Sequence, residues 1–252
     1  MKTDADPLAP HPAALSLHKV FYTYPDGLEA LRGVDLEIHE GESVALVGAN
    51  SAGKSTLLLH CNGCLSPAQG EARVMGLPVT PQNLPKIRQM VGTVFQDADD
   101  QLFMPSIVED VAFGPHNMGL SPEDAARRAR EALEAVGCAH LAERQPHHLS
   151  GGEKRAAAIA TVLAMRPRLL LLDEPTSNLD PRARRQFIRL LNSLPHTRIV
   201  ATHDLDMVLE VCPRTVVLYK GQIRADGATR DIFADTALLE ACHLERPLCM
   251  GR

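Results

Sequence analysis

The chain has 252 residues and a formal net charge of −5, enough length for one or two domains with full cores. The acidic balance argues against a broad nucleic-acid-binding face, which is usually basic, and no apolar run reaches the roughly 18 residues of a membrane-spanning helix. Six cysteines in a chain whose first residues do not read as a secretory signal argue against a disulfide framework.

In chain order, residues 1–14 begin "MKTDADPLAPHP", with acids and prolines where a signal peptide would need an apolar core, and are expected to form a flexible tail. Residues 15–45 alternate apolar and polar as half-buried antiparallel strands do, with "YPDG" at 24–27 as the turn. Ser43–Val47 reads as a short buried strand and Ser55–His60 as the opening of a helix that Gly63 ends. "ARVMGLPV" and "VGTVFQ" read as strands, and residues 105–165 as helical. Within that stretch Ser121 caps a helix, Pro122 takes its first position, Glu123 and Asp124 its first turn, and Gly137 stops it. "RLLLLDEP" and "TRIVATHD" have the form of buried parallel strands ending in polar residues, with "DPRARRQFIRLLNSL" as the helix between them. "TVVLYKGQIRADG" reads as a hairpin, and the last twenty-five residues as a small helical tail.

Gly48, Gly53, Lys54 and Ser55 fit G-x-x-x-x-G-K-[ST] between a strand and a helix. Such a loop turns successive backbone N–H groups onto phosphate oxygens at a helix N-terminus. Lys54 can reach the β- and γ-phosphates, and the Ser55 hydroxyl can ligate Mg²⁺. Two strand ends deliver further chemistry: Asp173 suits the Mg²⁺ shell, Glu174 suits the orientation or deprotonation of water, and His203 follows the other strand. Ser150 and Glu153 have capping-box spacing, and Ser150, Gly151 and Gly152 offer free N–H groups as a second anion site. Cys61 and Cys64 could be half of a zinc site, but no second pair shares their spacing, so they read as structural thiols. His60 beside them reads as a surface or helix-end residue.

Together these motifs resemble an ABC-transporter ATPase over nearly the whole chain. "GANSAGKST" (Gly48, Ala49, Asn50, Ser51, Ala52, Gly53, Lys54, Ser55, Thr56) resembles Walker A, "LLLLDEP" Walker B, and "LSGGE" the signature motif, with Glu153 where glutamine is commoner. Gln96 in "VFQD" resembles the Q-loop, "SNLD" ending in Asp180 the D-loop, and His203 the switch histidine, while Tyr24 stands where the family stacks an aromatic on adenine. "FQDADDQLFMPSIVEDVAFGPHNMGL" and "PHHLSGGEKR" resemble the ATPase of energy-coupling-factor importers, most closely the cobalt/nickel type. In that match "DDQLF" corresponds to an extra helix at the membrane-partner interface, and His147 and His148 to a spacer rather than a metal site.

The resemblance implies a P-loop α/β domain over 15–228 with an antiparallel β-subdomain, a helical subdomain at about 98–160, and a C-terminal tail over 229–252. It implies ATP and Mg²⁺ as cofactors, the metal held by Ser55, Gln96 and Asp173, with Glu174, His203 and Gln96 catalytic. It further implies a head-to-tail homodimer on integral-membrane importer subunits at the cytoplasmic face of the membrane, with no nucleic-acid partner. The alternatives are a vitamin importer or a soluble ABC ATPase of DNA repair or translation; the latter usually has a coiled-coil insertion or two cassettes, and neither is present. Two departures stand out. Ser51 replaces a usual glycine, at a cost if φ must be positive there, and Ala156 replaces a common arginine.

Overall fold

Alternating burial along Ala13–Thr23 (β1) and Glu29–His39 (β2) pairs these strands antiparallel. With Gln69–Val74 (β4) and Leu77–Pro78 (β5) they form a four-stranded sheet in the order β2-β1-β4-β5. This is a computed structural model describing residues 12–251. Of the expected N-terminal tail, residues 1–11 lie outside the described residues, and Ala13 and Ala14 already belong to β1.

The second sheet has the order β10-β9-β3-β8-β7-β6. Its strands are Ser43–Val47 (β3), Val91–Val94 (β6), Leu169–Asp173 (β7), Thr197–Thr202 (β8), Arg214–Tyr219 (β9) and Gln222–Ala228 (β10). All neighbours pair in parallel except the β9–β10 hairpin. The four leucines of β7 follow from cover on both faces. Leu169 and Leu171 enter the core beneath the antiparallel sheet with Leu15, Ile38 and Leu57. Leu170 and Leu172 enter the opposite core with Phe187, Met207 and Phe233.

Helix Lys54–Cys61 (α1) follows β3 and ends at Asn62, with Gly63 left-handed at φ 71°. Ile107–Asn117 (α3), Pro122–Ala135 (α4) and Gly151–Leu163 (α5) build a third core around Ile107, Val111, Leu133 and Ala157. α5 also sends Ala158, Ile159 and Val162 into the second core, so it joins this helical subdomain to the sheet. The Ser121 cap on Asp124 N–H, Pro122 and Gly137 act as the sequence indicates. Pro181–Ser193 (α6) and Leu205–Val211 (α7) pack on the second core. Leu84–Met90 (which we number α2, by chain order) escaped the sequence reading, although Pro85 in its first turn fits a helix start.

Two expectations are corrected. The "DDQLF" segment forms no helix; it is a turn closed by the Gln101 and Leu102 N–H groups on Ala98 O. Gln101 explains this, because its side chain turns inward to donate to Ala158 O at 2.9 Å and Thr161 Oγ1 at 2.7 Å on α5. The C-terminal segment is helical, with Thr229–Ala234 (α8) and Thr236–Ala241 (α9), and its Ile232, Phe233, Leu239 and Cys242 complete the second core.

His60 is fully buried rather than superficial. Its Nδ1–H donates to Thr56 O at 2.8 Å, and its ring meets Tyr22 edge-on at 4.9 Å. Burial pushes its pKa down, against the raising effect of the Thr56 bond. The unfolded chain therefore takes up a proton at about pH 6.5, where the folded chain does not. Stability should fall as pH drops from 7 to 5, and His60→Gln should flatten that slope in urea titrations. A slope unaffected by the substitution would assign the acid sensitivity to other groups.

Candidate functional site

The parallel register sets Val47 opposite Thr202 and Asp173 opposite Ala201, so β3, β8 and β7 end along one edge of the sheet. Ligands of open α/β sheets bind at such an edge. Residues 48–53 turn from β3 into α1 there. A Cβ on Gly48 would stand 2.3 Å from Leu218 O, and Gly53 has φ 106°, so both positions require glycine. Ser51 has φ 64°, the left-handed conformation its replacement of glycine put in question.

Lys54 is buried. Its ammonium donates to Gly48 O at 2.9 Å and Ala49 O at 3.4 Å and lies 3.6 Å from Glu174 Oε1. Glu174 is itself buried and left-handed at φ 44°, its N–H fixed on Ala201 O at 2.8 Å. Its Oε2 accepts from Thr202 Oγ1 at 3.0 Å and His203 N–H at 3.2 Å, and stands 2.9 Å from His203 Nδ1. Burial raises the pKa of Asp173, with a Ser55 hydrogen bond opposing, and Asp173 Oδ1 is buried without a partner. A cleft of about 290 Å³ opens between residues 50–56 on one side and Gln96, Asp173, Glu174 and His203 on the other.

Other expected site residues lie outside this cleft. The Tyr24 hydroxyl is 3.0 Å from Thr56 Oγ1, which holds its ring beside the first turn of α1. Ser150, Gly151 and Gly152 form the start of α5, where Ser150 and Glu153 make a full capping box. Asp180 caps α6 by accepting the N–H groups of Arg182 and Ala183 at 2.8 and 3.0 Å. A Cβ on Gly152 would meet Ala183 Cβ at 2.8 Å, so the glycine lets α5 approach α6. Cys61 is buried with its thiol on Leu57 O at 3.2 Å, burial pushes its pKa up, and Cys64 is exposed. The ring centroids of His147 and His148 lie 4.1 Å apart with the planes tilted by 57°. Among the described residues no cluster of three His, Cys, Asp or Glu could hold a metal ion.

Sequence reasoning missed the residues that hold the two strand-end loops together. Asp204 takes a bidentate bond from Arg184, both contacts 2.7 Å, accepts from Thr176 Oγ1 at 3.0 Å, and caps α7 through Met207 N–H. Burial pushes the Asp204 pKa up, but Arg184 and these bonds outweigh it and hold the carboxyl below its usual range. Only the cap was visible locally, as an Asp one residue before an apolar run.

Residues 31–177 match the family model described as ABC transporter. The chain is 46% identical over 238 residues to the energy-coupling factor transporter ATP-binding protein EcfA of Methanothermobacter thermautotrophicus, spanning 92% of this chain and 76% of that protein. The structure of CbiO1 from Clostridium perfringens, described as part of the ABC transporter complex CbiONQ, superposes with a TM-score of 0.82 and 37% identity over 92% of this chain and 94% of that one. The dimeric post-hydrolysis ATP-binding cassette MJ0796, bound to ADP and phosphate, superposes with a TM-score of 0.77 and 30% identity over 86% and 99%.

Left-handed strain at Ser51 costs about 1–2 kcal/mol, while a glycine there would add back about 0.5–1 kcal/mol through unfolded-chain freedom. Ser51→Gly should therefore stabilise the chain slightly and leave nucleotide affinity equal or tighter, and Ser51→Val should lower both. Urea unfolding and nucleotide titration of the two variants provide the check; a destabilised Ser51→Gly protein would mean the serine side chain contributes something the backbone angle hides.

Proposed function

The chain belongs to the ABC transporter ATP-binding family, and on that premise we propose that it hydrolyses ATP to drive an energy-coupling-factor importer of cobalt or nickel ions. The observation that carries the hydrolytic reading is the meeting of Lys54, Asp173, Glu174 and His203 in one cleft beside a phosphate-type loop. The loop N–H groups and Lys54 would bind the β- and γ-phosphates. Ser55, Asp173 and Gln96 supply oxygen donors, and the unpartnered Asp173 Oδ1 gives a divalent ion a ligand. Magnesium, when bound there, neutralises charge on the phosphates.

Glu174 would take the proton of the attacking water. Thr202 and His203 hold its Oε2 and leave Oε1 toward Lys54. When Lys54 turns to a phosphate, Glu174 Oε1 is released from that cation to face the attacking water. Tyr24 would stack on adenine, its hydroxyl tied to Thr56.

Ser150, Gly151 and Gly152 would meet the γ-phosphate from a second copy, with Asp180 at the same interface. The N–H groups of Gly151 and Gly152 have no acceptor among the described residues, as helix starts awaiting an anion do. Because one chain has both halves, a head-to-tail homodimer would contain two equivalent sites. No helix among the described residues is long and apolar enough to cross a membrane, and integral-membrane importer subunits would supply the ion path. A groove of about 430 Å³ with Phe103, Phe113, Met118 and Met165 suits a helix of such a partner on the cytoplasmic side of the membrane.

Glu174→Gln should bind MgATP without cleaving it and double its mass by light scattering, and Ser150→Arg should bind ATP and stay monomeric. A Glu174→Gln protein that remains monomeric in saturating MgATP would assign the second half-site to a different ATPase subunit. Co-expressed with its membrane partners in a host lacking cobalt and nickel uptake, the chain should restore accumulation of one of these ions, and Lys54→Ala should abolish it. Restored vitamin uptake instead would overturn the ion assignment while leaving the ATPase intact.

A further inference from the structure

Gln96 lies two residues beyond the end of β6, outside the ladder of the sheet. The polar backbone groups around it are met by side chains, and all of these trace back to α5. Arg155 donates from Nη1 to Phe95 O and from Nη2 to Gln96 O, both at 2.7 Å. The Phe95 N–H donates to Gln101 Oε1 at 3.2 Å, and Gln101 is itself anchored on Ala158 and Thr161 of α5. Lys154 on α5 reaches Asp99 at 2.5 Å.

Arg155 is the unusual member of this set. It is 4% exposed, its Nε is buried without a partner, and among the described residues no carboxylate forms an ion pair with it, although the charge of Asp97 acts on it from farther away. An interior guanidinium satisfied only by carbonyls is costly compared with an apolar side chain of similar length. Its two bonds fall on the carbonyls on either side of the Gln96 nitrogen and side chain, and on nothing else. That planar fork fixes the peptide plane from which the Gln96 side chain leaves.

We propose that Arg155 is a positioning residue for Gln96: its fork on the Phe95 and Gln96 carbonyls makes the Gln96 position follow the helix whose first turn is Ser150–Gly152. This rests on the assignment of Gln96 to the MgATP site. Gln96 therefore takes its place in the cleft from α5 rather than from the sheet that supports Asp173 and Glu174.

The experiment uses the full chain with Arg155→Met, Arg155→Lys, Gln96→Ala, Glu174→Gln and the Arg155→Met/Gln96→Ala double variant. Misplacing a substrate-positioning group costs about ten- to a hundredfold in rate, so Arg155→Met should lose that in kcat with little change in KM for ATP, and Arg155→Lys should recover part of it. The double variant should be no slower than Gln96→Ala alone, because both changes remove one function. Hydrogen exchange at the amides of residues 95–97 should quicken in Arg155→Met while that of β6 does not. Additive losses in the double variant, or unchanged exchange at 95–97, would overturn the proposal. If the wild-type chain turns over ATP no faster than Glu174→Gln, the hydrolytic reading has failed, and the exchange result alone decides whether Arg155 holds Gln96.

Discussion

β8 runs between β3 and β7 with Val47 opposite Thr202 and Asp173 opposite Ala201, and the strand-end groups of the cleft, Asp173, Glu174 and His203, take their height from that register. A slip of one residue would turn the Thr202 hydroxyl to the opposite face and separate it from Glu174. The register is strongly held. Each leucine of β7, covered on both sides of the sheet, contributes roughly 2 kcal/mol of burial, against about 1–3 kcal/mol for holding Glu174 in a left-handed conformation. Four leucines outweigh one strained residue, so the acid can stay where the Ala201 carbonyl fixes its backbone.

The loops after β7 and β8 are tied at their bases by the Glu174 bonds to Thr202 and His203. Asp204 ties them farther out, because it binds Thr176 on the first loop, Arg184 on α6 and the start of α7 with one carboxylate. Glu174 and His203 therefore belong to a single braced edge, with the strand register beneath and the Asp204–Arg184 pair above. Removing Arg184 would leave a half-buried acid without its counter-ion, which costs more than a surface pair is worth. Gly152 against Ala183 sets α5 at close range to α6, and the turn at Ser150–Gly152 does not line the cleft beside residues 50–56 of the same chain.

Much of this was legible in the sequence because it is written locally. Apolar runs with polar ends gave β3, β7 and β8, and caps and glycines gave α1, α4 and α5. The phosphate loop and the acid pair are spacing motifs, and the family resemblance ordered them. What the sequence hid is tertiary. His60 has a polar side chain, yet it is buried because its own helix supplies the Thr56 carbonyl. "DDQLF" forms a turn because Gln101 finds partners on α5, 57 and 60 positions away. The C-terminal helices look peripheral until Phe233 is seen in the sheet core. Arg155 reads as one more basic residue on a helix, since nothing nearby in sequence reveals that its partners are carbonyls.

The phosphate loop is held from the far end of the chain. β3 lies between β8 and β9, Gly48 fits against Leu218 O, and the Gly221 N–H donates to Ala52 O at 3.0 Å. A ribosome makes the chain from its N-terminus at about 5–20 residues per second. The segment from Ser43 to Ser55 therefore waits many seconds as a strand without neighbours and a loop without walls. Such non-local pairing is slow to form and leaves apolar strands exposed meanwhile. The emerging protein cannot acquire its phosphate cradle until residues 214–221 have left the exit tunnel, which makes nucleotide capture one of the last events in its biogenesis.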